Sequence, residues 1–256
     1  MIKWSFNNEK DEIVFLLKTL KKEHLETTLK KGQFCFSFPS IFHSPTNLNS
    51  AQQDLWDSYS FSSIRNLVIA PIISDNESEI KYGSIRKLAD TAEMHELSAI
   101  SKLNPLCSFR KVEKNDIIWA KNAFIFSLGD LVEKIKSEFG HDAFILIAFP
   151  EIFIDRISKQ YSCFARSIHY GKLDKNFNKL IYESNFEQIK MFQKSAEYAW
   201  QKEYRIILSP RKGEGPQLIE IGSIEDIAIG GSIDDLKNGF IFSDSSEGLA
   251  SFKKIN

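Results

Sequence analysis

The sequence has little that would link it to a membrane or to an oxidising compartment. None of its apolar runs approaches the roughly 18 residues that a membrane span needs, and residues 1–7 lack the apolar core of a signal peptide. Its three cysteines, Cys35, Cys107 and Cys163, are widely spaced and set among apolar neighbours. We therefore expect buried, reduced thiols, no membrane partner and a cytoplasmic location.

The sequence also lacks the spacing of a metal site and the motifs of nucleophilic enzymes. None of its five histidines lies within five residues of another or of a cysteine, so we predict no bound metal. No nucleophile elbow surrounds a serine. Residues 230–232, Gly-Gly-Ser, lack the lysine of a P-loop and the third glycine of a dinucleotide-binding loop. We interpret them as a tight turn that leads into a helix capped by Ser232.

A strong charge of either sign is absent as well. The chain has 33 basic and 34 acidic residues, a net charge of −1, which excludes a global attraction to nucleic acid or to an anionic membrane. A local basic cluster of Arg205, Arg211 and Lys212 is nevertheless placed to help hold an anionic substrate such as RNA. Lysines between residues 18 and 31 form a second cluster, which we interpret as the solvated face of a helix.

Helical periodicity is strongest near the start of the chain. Ile13, Leu16, Leu17, Leu20 and Leu25 form an apolar stripe that predicts a helix over 9–31, ended by Gly32. Similar reasoning predicts helices at 51–72, 84–102, 128–139 and 175–198, and a short helix that carries Ile118 and Trp119. The segment 128–139 is followed by Gly140, which is typical of a helix end.

Apolar and β-branched runs predict strands between these helices. The predicted strands are 33–37, 106–109, 143–149, 163–170, 201–208, 217–221, 224–230 and 240–242. They do not alternate regularly with the helices, so an α+β fold with mixed central sheets and flanking helices fits better than a doubly wound sheet. We predict one domain over 1–256, with a candidate helical insertion at about 51–102.

Residues 199–208, Ala-Trp-Gln-Lys-Glu-Tyr-Arg-Ile-Ile-Leu, are the stretch most suggestive of chemistry. Side chains alternate along a strand, so Gln201, Glu203 and Arg205 are predicted to share one face. A carboxylate next to an amide suits a site that holds a ribose hydroxyl or stabilises a developing cation. The alternative is an ordinary salt bridge of Glu203 and Arg205 on an edge strand, with Trp200 filling the core.

An ordered set of segments resembles a bacterial domain family associated with phage defence. Residues 199–205 match its motif of a tryptophan, a Glu-x-Glu pair and Tyr/Trp-Arg, with Gln201 in place of the first glutamate. The family's Asn-Asp-Pro turn is replaced here by His43, Ser44 and Pro45. The other matching segments are 32–39, 107–109, 118–120, 140–149, 168–170 and 227–230.

The Gln-x-Glu pattern at Gln201 and Glu203 also resembles the last motif of ADP-ribosyltransferases. This resemblance implies an ADP-ribosyltransferase-like fold with NAD as substrate and no metal. Glu203 would stabilise the oxocarbenium ion formed as nicotinamide leaves, and Gln201 would orient the acceptor. The implied NAD-binding residues are Lys3, Ser37, Phe38, Trp119, Tyr170 and Arg205.

The function expected from this resemblance is a toxin or antiphage defence effector that modifies RNA, DNA or protein. An antitoxin or regulatory partner would accompany such a toxin. Two alternatives remain open at the level of the sequence. One is a nuclease or NAD glycohydrolase, and the other is a non-catalytic binding or sensor module of a defence or toxin–antitoxin system.

Overall fold

The computed structural model describes residues 13–38, 59–63, 93–97, 104–120, 123–171, 191–194, 196–209, 215–244 and 250–255. Its strands are β1 Ile13–Leu20, β2 Gln33–Phe36, β3 Tyr59–Ser63, β4 Glu93–Leu97, β5 Leu106–Glu113, β6 Ile117–Ala120, β7 Ala123–Phe126, β8 Ala143–Ile147, β9 Cys163–Ser167, β10 His169–Tyr170, β11 Gln193–Lys194, β12 Glu203–Leu208, β13 Gln217–Glu220, β14 Ala228–Ser232, β15 Phe240–Asp244 and β16 Ala250–Lys254. Its α-helices are α1 Lys22–Lys31, α2 Leu131–Phe139, α3 Pro150–Ser158 and α4 Asp235–Asn238.

A six-stranded sheet with the order β14-β8-β1-β5-β12-β9 forms the centre of the fold, and every neighbouring pair in it is antiparallel. A four-stranded sheet, β16-β15-β7-β6, is also antiparallel. Smaller antiparallel pairs are β2 with β13 and β3 with β4, whereas β10 and β11 run parallel. The fold is therefore α+β, with mostly antiparallel sheets and few helices among the described residues.

Both faces of the six-stranded sheet are covered. On one face, α1, α3 and the β2–β13 pair contribute to a core around Leu16, Ile145 and Ile206. On the other face, α2, α4 and the four-stranded sheet pack around Phe15, Leu17 and Leu146. Burial on both faces explains the uninterrupted apolar sequence of β8 and the apolar run over residues 13–17 of β1.

Phenylalanines fill the space between the two larger sheets. The Phe242 ring stacks on Phe124 with a centroid distance of 4.8 Å and on Phe15 with a distance of 5.2 Å. A third contact tilts Phe15 against Phe126, with centroids 6.4 Å apart. Offset and tilted pairs of this kind are favourable beyond the apolar area that they bury. The high phenylalanine content thus serves sheet packing.

Several predicted elements are confirmed. The strand predictions at 33–37, 106–109, 143–149, 217–221 and 240–242 correspond to β2, β5, β8, β13 and β15, although β5 extends to Glu113. The strand predicted at 163–170 is divided between β9 and β10, which belong to different sheets. Helix α2 ends at Gly140, whose φ of 64° is the left-handed conformation expected after a helix.

The helix predicted over 9–31 is wrong for residues 13–20, which form β1, and only 22–31 are helical. The stripe of Ile13, Leu16, Leu17 and Leu20 fits a helix, but Val14 and Phe15 complete a continuous apolar run. Such a run is typical of a central strand with two buried faces. Because a helix would have exposed part of this run, burial in the sheet decides the outcome.

Other helix predictions also fail within the described residues. Residues 59–63 and 93–97 are strands, so the described parts of the candidate insertion at 51–102 are not helical. The short helix expected around Ile118 is replaced by one 3-10 turn, Lys114–Asp116, followed by β6. Of the segment predicted helical at 175–198, the described part contains β11 and the start of the 3-10 helix Ala196–Gln201.

The Gly-Gly-Ser segment is part of β14 and not a turn, and the next helix begins at Asp235. Gly230 allows α1 to approach the sheet closely. A Cβ atom added to Gly230 would lie 2.7 Å from Leu25 Cδ1 and 3.1 Å from Leu29 Cδ1. Close helix–strand packing, rather than a phosphate loop, therefore accounts for this sequence.

Of the three thiols, Cys107 is buried, Cys163 is half-buried and Cys35 is exposed. The expectation of three buried thiols is thus wrong for Cys35. Alternation along β2 turns Phe34 and Phe36 inward and Cys35 outward. No helix in the described part of the chain is long and apolar enough to cross a membrane.

Candidate functional site

Glu203 is the first residue of β12, an interior strand that lies between β5 and β9. Its register partner on β5 is Arg110, and Arg205 is paired with Ser108. Directly opposed residues in an antiparallel pair project from the same face. The strand therefore places Glu203, Arg205, Ser108 and Arg110 on one face. The predicted salt bridge exists, but the expectation that it lies on an edge strand is wrong.

The Glu203 side chain is buried, and its two carboxylate oxygens have different surroundings. Oε1 accepts hydrogen bonds from Ser108 Oγ at 2.5 Å and from Arg205 Nε at 2.6 Å. Among the described residues, Oε2 has longer contacts, 3.2 Å to Lys194 Nζ and 3.4 Å to Arg205 Nη2. Oε1 is thus firmly anchored, whereas Oε2 is the more weakly held oxygen.

Two opposing effects determine the ionisation of Glu203. Burial raises the pKa of the carboxyl, but the charges of Arg205 and Lys194 and the hydrogen bonds from Arg205 and Ser108 lower it more. The net result is a pKa well below the usual range for glutamate, so the side chain is a carboxylate at neutral pH. The site therefore holds an ionised acid in a largely dry environment.

Lys194 of β11 joins Glu203 to Gln201. Its ammonium donates a hydrogen bond of 2.9 Å to Gln201 Oε1 in addition to its contact with Glu203, and all three residues are buried. The same ammonium lies 4.8 Å from the centroid of the Tyr198 ring, a cation–π contact. A shared lysine therefore connects Gln201 with Glu203.

The backbone changes direction at Lys202, between these two residues. Lys202 has a φ of 44°, which is unusual for a residue with a side chain. Gln201 consequently belongs to the 3-10 helix and not to β12, so the predicted strand face shared with Glu203 is wrong. Lys202 Nζ contacts Asp116 Oδ1 at 2.7 Å and Glu113 Oε2 at 3.1 Å, which holds the turn against β5.

Hydrogen bonds to the backbone fix the residues around Glu203. The Tyr170 hydroxyl accepts a 2.6 Å hydrogen bond from the Glu203 N–H group. Arg205 Nη1 donates to the Met191 carbonyl at 2.7 Å, and Arg110 Nη1 donates to the Trp200 carbonyl at 2.5 Å. These contacts tie Tyr170 and the segment of residues 191–194 and 196–201 to the face of the sheet that carries Glu203.

The other predicted site residues are less closely connected. Ser37 pairs with Leu106 through two backbone hydrogen bonds, and Phe38 is buried; within the described residues neither contacts Glu203. Trp200 is half-buried and packs between the Lys134 ammonium, 4.1 Å from its ring, and Phe139, consistent with a core role. Lys3, Arg211, Lys212 and the Trp119 side chain lie outside the described residues.

Three residues of the site were not predicted from the sequence: Ser108, Lys194 and Arg110. Ser108 interrupts an apolar strand, and that interruption was the only local sign of its role. Nothing in the local sequence marks Lys194. Within the described ranges, no group of three His, Cys, Asp or Glu side chains is placed to hold a metal ion.

Comparisons with known proteins do not extend this description. No protein-family model, no curated protein and no solved structure matches the chain. The residues and their geometry are therefore the basis for any functional conclusion.

Proposed function

We propose that this protein is a NAD-dependent ADP-ribosyltransferase-like effector, a toxin or an antiphage defence protein, and that Glu203 is its catalytic residue. The observation that carries the proposal is the asymmetry of the Glu203 carboxylate. Ser108 and Arg205 orient the group through Oε1, and the weaker contacts leave Oε2 as the atom that a ligand can engage. A preoriented carboxylate of this kind is suited to a ribose hydroxyl or to developing positive charge.

In the proposed reaction, the bond between nicotinamide and C1′ of the ribose breaks, and its electron pair leaves with nicotinamide. Glu203 Oε2 stabilises the resulting oxocarbenium ion. A nucleophilic atom of the macromolecular acceptor then bonds to C1′ and releases its proton to water. Gln201 is placed next to this centre through Lys194 and would orient the acceptor. The mostly antiparallel sheets support an ADP-ribosyltransferase-like fold as part of the same proposal.

The charge balance sets a condition on this mechanism. Lys194 and Arg205 both contact Glu203, so the three groups together carry one net positive charge. The net charge of these three groups opposes a developing cation. Substrate binding must therefore move the Lys194 ammonium away from Oε2, and Tyr198 and Gln201 already offer it alternative partners. The longer contact to Lys194 is consistent with its being the one that is exchanged.

A second candidate is a non-catalytic binding or sensor module of a defence or toxin–antitoxin system. The observation in its favour is that both carboxylate oxygens of Glu203 already have protein partners in a buried network. A network of this kind can have a purely structural role, which is to specify how the sheet packs. In that case, the ligand or the antitoxin partner would bind elsewhere on the chain.

Calorimetric titration with NAD and an assay of nicotinamide release separate these candidates. Wild type, Glu203→Gln and the control Glu197→Gln, an exposed glutamate of the 3-10 helix, should be compared as folded proteins. We expect wild type and the control to release nicotinamide, and Glu203→Gln to be slower by a factor on the order of 10²–10³. Absence of NAD binding and turnover in wild type would exclude the transferase and favour the binding module. Release by Glu203→Gln at the wild-type rate would exclude Glu203 as the catalytic group.

A further inference from the structure

Arg110 has more hydrogen-bond donors than its surroundings use. A guanidinium carries five N–H donors, and within the described part of the chain this one makes a single hydrogen bond, from Nη1 to the Trp200 carbonyl. Its strand register places it directly opposite Glu203. The group is partly buried, and this burial lowers the pKa of the arginine. A partly buried cation without a bonded anion is costly for the folded state.

The acidic groups near Arg110 are bound to other residues. Glu203 is held by Arg205 and Lys194. Glu113 contacts Lys111 at 2.6 Å as well as Lys202, and Asp116 contacts Lys202. Glu113 and Asp116 therefore influence Arg110 from a distance without a hydrogen bond to it. The protein supplies no carboxylate for this guanidinium among the residues that the structure describes.

Tyr170 presents a second donor in the same place. Its oxygen accepts the N–H group of Glu203, and among the described residues its own O–H group has no acceptor. The hydrogen bond to the Glu203 N–H group places the phenol next to the register partner of Arg110. Burial and the charge of Glu203 raise the pKa of Tyr170, and the charges of Arg205 and Arg110 offset only part of this rise. The hydroxyl is therefore a neutral donor at physiological pH.

We propose that Arg110 and Tyr170 form a binding site for a phosphate-class oxyanion next to Glu203. A guanidinium fork matches two phosphate oxygens, and the phenol O–H group provides a third hydrogen bond. Burial strengthens these contacts because the local dielectric is lower than that of water. The site does not require NAD to be the substrate, because its chemistry fits free phosphate, pyrophosphate or the phosphates of a nucleotide.

Titration calorimetry with inorganic pyrophosphate at constant ionic strength tests this inference. We expect wild type to bind one equivalent, Arg110→Met to weaken binding about tenfold or more, and Tyr170→Phe to weaken it several-fold. The matched control is Arg166→Gln, because Arg166 is exposed and is paired with Arg205, so that it projects from the same face of the sheet. This control should stay within about twofold of wild type.

Three results would overturn the proposal. The first is that wild type does not bind pyrophosphate, and the second is that Arg110→Met binds it as tightly as wild type. The third result is an equal loss of affinity in Arg110→Met and Arg166→Gln, which would indicate attraction by diffuse charge. If Arg110→Met does not fold, Arg110→Lys keeps the charge but loses the fork, and it should still bind more weakly than wild type. Tighter binding of ADP than of pyrophosphate identifies a nucleotide phosphate as the ligand, and equal or weaker binding identifies the free oxyanion. Binding that depends on Arg110 without nicotinamide release would retain this site and remove the transferase.

Discussion

Replacing Glu203 with glutamine tests how the buried charges of the site are balanced. The substitution keeps the size of the side chain but removes the negative charge that faces Arg205 and Lys194. It also replaces Oε2 or Oε1 with an NH₂ group, which cannot accept a hydrogen bond from either cation. Arg205 and Lys194 would then lose the buried carboxylate that both contact, and one contact would become a repulsion between donors.

The expected loss of stability follows from this arrangement. Removing one partner of a buried ion pair costs about 3–5 kcal/mol, largely because the remaining charge stays buried. Glutamine still offers one oxygen to Ser108 or Arg205, so we expect about 3 kcal/mol at neutral pH, the lower end of that range. The exposed control Glu197→Gln should change the free energy of unfolding by about 0.5 kcal/mol or less.

The effect should depend on pH in a defined direction. The folded pKa of Glu203 is lower than that of an unfolded glutamate, about 4.3, so ionisation stabilises the folded state above that pH. This stabilisation is lost as the pH falls from about 4.3 towards the folded pKa. The difference in unfolding free energy between wild type and Glu203→Gln should therefore be constant near neutral pH and decrease in acid.

Urea unfolding, monitored by circular dichroism across this pH range, measures the difference. A loss for Glu203→Gln no larger than that of Glu197→Gln would mean that the carboxylate does not balance the buried cations. A loss that does not diminish in acid would contradict the lowered pKa. Either result would refute the reasoning from the contacts of Oε1 and Oε2.

Two further predictions concern the surroundings of the site. Lys202→Val should lower the free energy of unfolding by about 1–3 kcal/mol, because a β-branched residue fits a φ of 44° poorly. Lys202→Gly should be within about 1 kcal/mol of wild type. Equal losses for the two variants in urea unfolding would show that the backbone at this position is not strained. Burial lowers the pKa of His141 to about 4 from 6.5, so stability should fall as the pH drops from 6.5 to about 4. His141→Gln should remove this part of the pH dependence, as measured by thermal unfolding between pH 6.5 and about 4. If the variant keeps the pH dependence of wild type, the lowered pKa of His141 is not its cause.

The sequence predicts some parts of this molecule well, for reasons that are local. Helix α2 follows from its apolar stripe and from Gly140, and β8 follows from a short apolar run. The start of the chain was misinterpreted because helical spacing and a continuous apolar run coexist in residues 13–20. Only the burial of both faces, a property of the assembled sheet, distinguishes the two.

The contacts of the site also differ in whether the neighbouring sequence predicts them. Glu203 and Arg205 are two positions apart on one strand, so their contact was predictable from alternation. Ser108 and Lys194 reach Glu203 through strand register and through the segment that covers the sheet, and spacing along the chain reveals neither. The left-handed turn at Lys202 was also invisible, because a lysine gives no local sign of that conformation.

The order of strands in the central sheet has a consequence for biosynthesis. Ser108 and Glu203 are 95 residues apart in sequence, and β5 lies between β1 and β12 in the sheet. A ribosome that adds 5–20 residues per second needs roughly 5–19 s to synthesise that interval. During this interval the nascent chain already contains β5, but Lys194 and Glu203 are added only at its end. A growing polypeptide therefore lacks the proposed active site until Glu203 itself has been added.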